Sequence, residues 1–174
     1  MSPDNTQVSA ENLQGADLGD EYLTFRLGEE DYGIDILRVQ EIRGYEVVTR
    51  IPNQPVYVKG VLNLRGSIVP IFDLRERLGM ETKTYGKETV VIVIATRDEV
   101  GERSIGVIVD EVSDVLHAET TDIKNAPDFG ESLDTDYISG LATARDRMIM
   151  LINADKLQAP RGSGMDSEAE SSAA

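Results

Sequence analysis

Cysteine is absent from the 174 residues, which excludes disulfides, thiolate nucleophiles and zinc–thiolate sites and agrees with a reducing compartment, the cytoplasm by default. Histidine occurs once, as His117, so a Ser-His-Asp arrangement would have to use it, with Asp114 or Asp122 as the orienting carboxylate. In VLHAETT it reads more simply as a surface or turn histidine, and a small β-barrel hydrolase built on His117 stands as the alternative from another functional class. No window approaches the roughly 18 uninterrupted apolar residues of a membrane span, and MSPDNTQVSAENLQGADLGD holds neither a basic nor an apolar export region. A soluble protein without direct membrane insertion is expected. Positive charge is also scarce: 17 Lys and Arg face 32 Asp and Glu, a formal net charge of -15, and such a surface repels nucleic-acid backbones. Phosphate loops of the GxGxxG or GxxxxGK type and the GxSxG elbow are missing. DTDYISG fails as a calcium loop because Ile138 and Arg145 take ligand positions. No catalytic group, metal or cofactor is expected.

What the chain does have is a succession of short runs rich in Val, Ile, Thr and Tyr: YLTFRL (22–27), YGIDI (32–36), EVVTR (46–50), YVKGVLNL (57–64), SIVPIFD (67–73), ETVVIVIA (88–95), RSIGVIV (103–109), YISGLAT (137–143) and DRMIMLIN (146–153). Bounded by Gly, Asp, Asn or Pro, they predict many short strands of a barrel or sandwich. Helical candidates are brief: LRVQEI (37–42), LRERLG (74–79) and ADKLQ (154–158). Residues 1–20 and 161–174 are poor in large apolar side chains and are expected to be disordered tails.

The order of these runs repeats. YGIDILRVQEI aligns with IGVIVDEVSDV at an offset of 73, placing Gly33 on Gly106 and Val39 on Val112. VKGVLNLRGSIVPIFD aligns with ISGLATARDRMIMLIN at an offset of 80, placing Gly60 on Gly140, Arg65 on Arg145 and Asp73 on Asn153. Two copies of about 70 residues with roughly five strands each imply a pair of small β-barrels packed together. The first lobe is expected over 21–80 and the second over 81–160, with strands free to exchange between them. The lobes differ in charge: residues 21–80 hold 9 acids and 8 bases, residues 81–160 hold 16 acids and 8 bases. The acidic surplus is explained equally by solubility and by selection of a partner.

Two groups of residues interrupt the apolar pattern of the first repeat: Arg38, Glu41 and Arg43, and Asn63 with Arg65-Gly66-Ser67. If 37–42 is a helical turn, Arg38 and Glu41 share a face, and Val39 beside them is either core or an apolar contact with a charged rim. Arg65-Gly66 connects two strands, where a glycine provides positive φ or room for another backbone. The second copy uses Arg145-Asp146 at the same place, so Gly66 suggests clearance for a docking partner, and Arg65 offers a planar fork suited to a carboxylate, either its own Glu41 or one on a partner.

The segments GIDILRVQEIRGY and KGVLNLRGSIVPIFDLR, with VVIVIATRDEVGERSIGVIVDEVSDVL and YISGLATARDRMIMLINADKL, closely resemble the CheW-type chemotaxis coupling family over about residues 20–158. The resemblance implies two SH3-like five-stranded barrels and a non-enzymatic adaptor. It implies binding to the cytoplasmic helical hairpin of chemoreceptors and to the regulatory domain of the histidine kinase CheA, within membrane-associated signalling arrays. By motif it assigns Val39, Glu41, Gly60, Arg65 and Gly66 to the receptor groove, with Arg65 and Glu41 as a pair. Lys124, Asp128 and Phe129 in IKNAPDF become candidates for the kinase contact.

Overall fold

The apolar run of β6 (Val90–Arg97) is continuous because both faces of the strand are covered. Val91 and Val93 join Leu62, Val69, Ile71 and Ile108 in one core. Ile92 and Ile94 face the other way, into a larger core with Leu23, Phe25, Ile34, Phe72, Ile105 and Val107. A third core gathers Tyr22, Ala142, Ile149 and Leu151. Two sheets, each with a core of its own, therefore meet across a shared one.

The computed structural model describes residues 21–118, 122–125, 137–144 and 146–158; both expected tails and Arg145 lie outside them. The first sheet has the order β8-β1-β2-β11-β10-β9, and the second β3-β6-β7-β5-β4. The first contains β1 (Glu21–Leu27), β2 (Glu30–Asp35), β8 (Glu111–His117), β9 (Ile123–Lys124), β10 (Ile138–Ala144) and β11 (Arg147–Ile152). The second contains β3 (Val39–Gly44), β4 (Val58–Leu64), β5 (Ser67–Asp73), β6 and β7 (Glu102–Val109). The fold is mainly β, two SH3-like five-stranded units packed together, with β9 as a short sixth strand on the first.

The repeat is visible in the pairing. In each copy the first two strands cross to the sheet that holds the remaining strands of the other copy. The crossing is sealed by parallel pairs, β2 with β11 and β7 with β5, which place Gly33 opposite Leu151 and Gly106 opposite Ile71. A Cβ on Gly106 would lie 2.6 Å from Ile71 Cδ1, so the glycine lets the two strands' side chains interlock. Asp73 caps the helix α1 (Leu74–Arg77) by accepting from Glu76 N at 3.2 Å. Asn153 does the same for the 3-10 turn Ala154–Leu157, accepting from Asp155 N at 3.0 Å.

Three sequence expectations change. Residues 37–42 are not helical: the Asp35 carboxylate caps Leu37 N at 2.9 Å, a 3-10 turn spans Ile36–Arg38, and β3 begins at Val39. The β-branched Val39 and Ile42 find partners in Ile94 and Ile92, and that pairing overrides the short helical pattern. EVVTR forms only an isolated bridge, Thr49 to Val61, before Pro52, Pro55 and Asn53 with φ 61 turn the chain. The sequence reading also missed β8 and β9, whose polar residues hide their pairing.

Two carboxylates clasp the units together. Asp110, just after β7, accepts from Arg75 Nε at 2.8 Å, Arg75 Nη2 at 2.6 Å and Gly28 N at 2.7 Å. These contacts, with the Arg75 hydrogen bonds foremost, hold the Asp110 carboxyl below the usual carboxylate range. Asp155 accepts from Arg38 Nη1 at 2.8 Å, Arg38 Nη2 at 3.1 Å and Arg97 N at 2.6 Å. Between the clasps, Arg77 lies 4.7 Å from the ring centroids of both Tyr57 and Tyr137 and donates to Leu157 O at 3.0 Å.

Candidate functional site

The site begins with a bulge in β3. Val39 stands opposite Ile94 and Glu41 opposite Val93, so one extra residue, Gln40, is inserted. The bulge sends the two neighbours to different places. Val39 packs half-buried on the core shared by the units. Glu41 is aimed to the side of the second unit's own core, where its carboxylate remains partly exposed. Arg38 and Glu41 therefore do not share a face, and Arg38 is engaged by Asp155.

The second component is the two-residue connection between β4 and β5. Arg65 has φ 55 and Gly66 φ 88, the signs that a type I′ hairpin turn requires. Asn63 Oδ1 stabilises the turn by accepting from Gly66 N at 2.9 Å. A Cβ on Gly66 would meet nothing within 4 Å, so backbone conformation, not crowding within the chain, accounts for the glycine. Arg65 itself occupies a left-handed conformation that costs an L-residue roughly 1–2 kcal/mol.

β3 and β4 are opposite ends of the second sheet, yet the sheet curls enough to bring them together. Arg65 Nη2 lies 3.4 Å from Glu41 Oε1, and Arg43 Nη1 lies 3.6 Å from Glu41 Oε2. Arg43 also reaches Glu46 at 3.2 Å. The Arg65 side chain is 86% exposed against 24% for Glu41, so the pair contributes about 0–1 kcal/mol and leaves the outer edge of the guanidinium open. Gly60 is buried behind this surface with φ 152, and any Cβ there would overlap the Thr49 carbonyl. Its place is to admit the Thr49 backbone, which exchanges hydrogen bonds with Val61 at 3.0 and 2.8 Å. That bridge holds the 45–57 connection, whose Val47 and Val56 project into solvent at 86% and 76% exposure.

Sequence reasoning named Asn63 and Arg43 only as polar residues interrupting apolar runs, without a role at the site, and missed these two valines. The Asn three residues before a turn glycine was a usable signal for Asn63; Val47 was masked by the strand expected at 46–50, and Val56 stood between two expected strands. Lys124 is exposed on β9 of the first unit, apart from the Glu41–Arg65 surface of the second. Asp128 and Phe129 lie outside the described residues. His117 ends β8 exposed, and its expected orienter Asp114 accepts instead from Thr24 Oγ1 at 3.0 Å. Among the described residues, nothing assembles a triad around it.

A protein-family model, the CheW-like domain, matches residues 21–160. The chain belongs to the CheW-like family. It is 48% identical over 150 residues to the chemotaxis protein CheW of Klebsiella aerogenes, covering 86% of this chain and 88% of that one. It is 37% identical to the chemotaxis protein CheW of Rhizobium meliloti, over 80% and 87% of the two chains. The crystal structure of the scaffolding protein TtCheW from Thermoanaerobacter tengcongensis superposes with a TM-score of 0.75 at 32% identity, covering 85% of this chain and 98% of that one. CheW-like proteins are non-catalytic scaffolds, and the hydrolase alternative has no support.

Proposed function

We infer that this chain acts as a chemotaxis adaptor, joining chemoreceptors to the histidine kinase CheA by binding both and catalysing nothing. The receptor's helical hairpin docks on the second unit, over the surface carrying Val39, Glu41, Arg65 and Gly66, with Gly60 maintaining the backbone beneath it. One observation carries this assignment: a strained turn holds Arg65 almost fully outside the protein, with Glu41 orienting one edge and the other edge free for a partner's carboxylate or carbonyl. The kinase's regulatory domain docks at a barrel edge of the first unit, near Lys124. The adaptor is recruited from the cytoplasm to receptor arrays, where many weak contacts act together.

Co-sedimentation with receptor and kinase, separately and together, tests the reading. Arg65→Ala lowers receptor affinity by about tenfold or more, the loss of a charge-assisted hydrogen bond, while its melting temperature stays near that of the unmodified chain. A large melting shift accompanying the binding loss would defeat the direct-contact assignment. Unchanged receptor affinity would remove Arg65 from the interface.

A further inference from the structure

The two clasps occupy equivalent places in the repeat with their polarity reversed. An offset of 80 places Asp155 on Arg75, and an offset of 73 places Leu37, beside Arg38, on Asp110. In one clasp the cation belongs to the helix after β5 and the anion to the strand connection. In the other, the anion belongs to the turn after β11 and the cation to the strand connection. Each carboxylate also accepts from the backbone that leaves a central strand, Gly28 after β1 and Arg97 at the end of β6. Each clasp thus fastens an element of one unit to the other unit.

The Arg38–Asp155 clasp differs in what it adjoins. Arg38 immediately precedes β3, the strand bearing Val39 and Glu41, and donates further to Ala95 O at 3.2 Å on β6, the strand paired with β3. Asp155 belongs to the turn that closes the first unit, and Arg77 binds the carbonyl of Leu157 in that turn. A bidentate guanidinium–carboxylate pair fixes angle as well as distance. We propose that Arg38 and Asp155 are positioning residues for signal coupling: they fix the receptor-facing strand of the second unit against the first, so that receptor docking is felt at the kinase-facing unit. This rests on the adaptor reading.

A chain without cysteine permits a direct measurement. Spin labels on Ser67→Cys in β5 and Ser113→Cys in β8, exposed positions in the second and first units, report the distance between units in the isolated protein. The parent gives one narrow distance distribution. Asp155→Asn broadens or shifts it, whereas Asp155→Glu, which keeps a carboxylate able to accept from Arg38 and from Arg97 N, stays nearer the parent. In unlabelled assemblies with receptor and CheA, Asp155→Asn lowers receptor control of kinase activity by at least about fivefold, with affinity for each partner alone kept within about twofold. Asp155→Glu retains most of the control. An unchanged distance distribution, unchanged receptor control, or a parallel loss of partner affinity overturns the proposal. Absence of receptor control with the unmodified chain would instead overturn the adaptor reading, and the spin-label distances would still decide whether the clasp fixes the units.

Discussion

Gly60 and Gly140 hold equivalent places in the two units, and each admits a backbone carbonyl from the strand or bridge beside it. In the first unit the clash is the smaller one, a Cβ on Gly140 lying 2.9 Å from Lys124 O. In the second, a Cβ on Gly60 would lie 2.1 Å from Thr49 O, and φ is 152. At the neighbouring turns Gly66 has φ 88 and its counterpart Asp146 has φ 66, so both positions are left-handed. A barrel of this kind requires the glycine and the tight turn. The closer backbone approach, at Gly60, belongs to the unit whose turn carries the exposed Arg65.

The sharpest way to break this comparison is at the buried glycines. Gly60→Ala is expected to cost about 2–4 kcal/mol, because a backbone bridge must open and the φ is unfavourable. Gly140→Ala should cost about 1 kcal/mol. Equal losses in urea titrations would mean that the two supports are equivalent after all.

The clasps come next. Arg75 and Asp110 are 13% and 12% exposed, whereas Asp155 is 30% exposed, so Asp110→Asn should cost about 2–3 kcal/mol and Asp155→Asn nearer 1. Asp110 also predicts a pH dependence. Its carboxyl is held below the ordinary range, so its contribution is complete above the unfolded-state pKa of about 3.9 and is lost as pH falls through the lower folded value. The stability gap between the parent and Asp110→Asn should therefore be widest at neutral pH and close in acid. A gap independent of pH down to pH 2 would show that charge is not what the clasp contributes.

The smallest effects lie in the turns. Asp146→Gly relieves a left-handed residue and should stabilise by about 0.5–1 kcal/mol without altering receptor binding. Gly66→Asp copies the other turn, costs about 1 kcal/mol, and places a carboxylate in open space beside Arg65, so receptor affinity should fall. Retained affinity in Gly66→Asp would show that the turn needs no clearance.

Much of the architecture was legible in the residues. Val-rich and Ile-rich runs marked the central strands, and the recurrence of Gly33 as Gly106 and of Gly60 as Gly140 marked the duplication, because each glycine answers a steric demand that the duplicated fold imposes twice. β3 was misread because its residues satisfy a one-turn helical spacing as well as an alternation, and only Ile92 and Ile94 across the sheet decide between them. The Arg65–Glu41 pair stood as one of two options from the residues and as the pair implied by the family resemblance, whereas no local pattern placed the Gln40 bulge that aims Glu41 toward it.

The sequence by itself determined a cysteine-free β protein built twice from one plan, since apolar periodicity, turn residues and repeated glycines are local properties of the chain. Tertiary structure alone decided that the first strands of each copy cross to the other sheet, that Arg38 closes on Asp155 and not on Glu41, and that Arg65 stands outside with its turn held by Asn63. These are contacts between residues far apart in the chain or conformations set by a closed sheet, and their free energy exists only once the two units have packed.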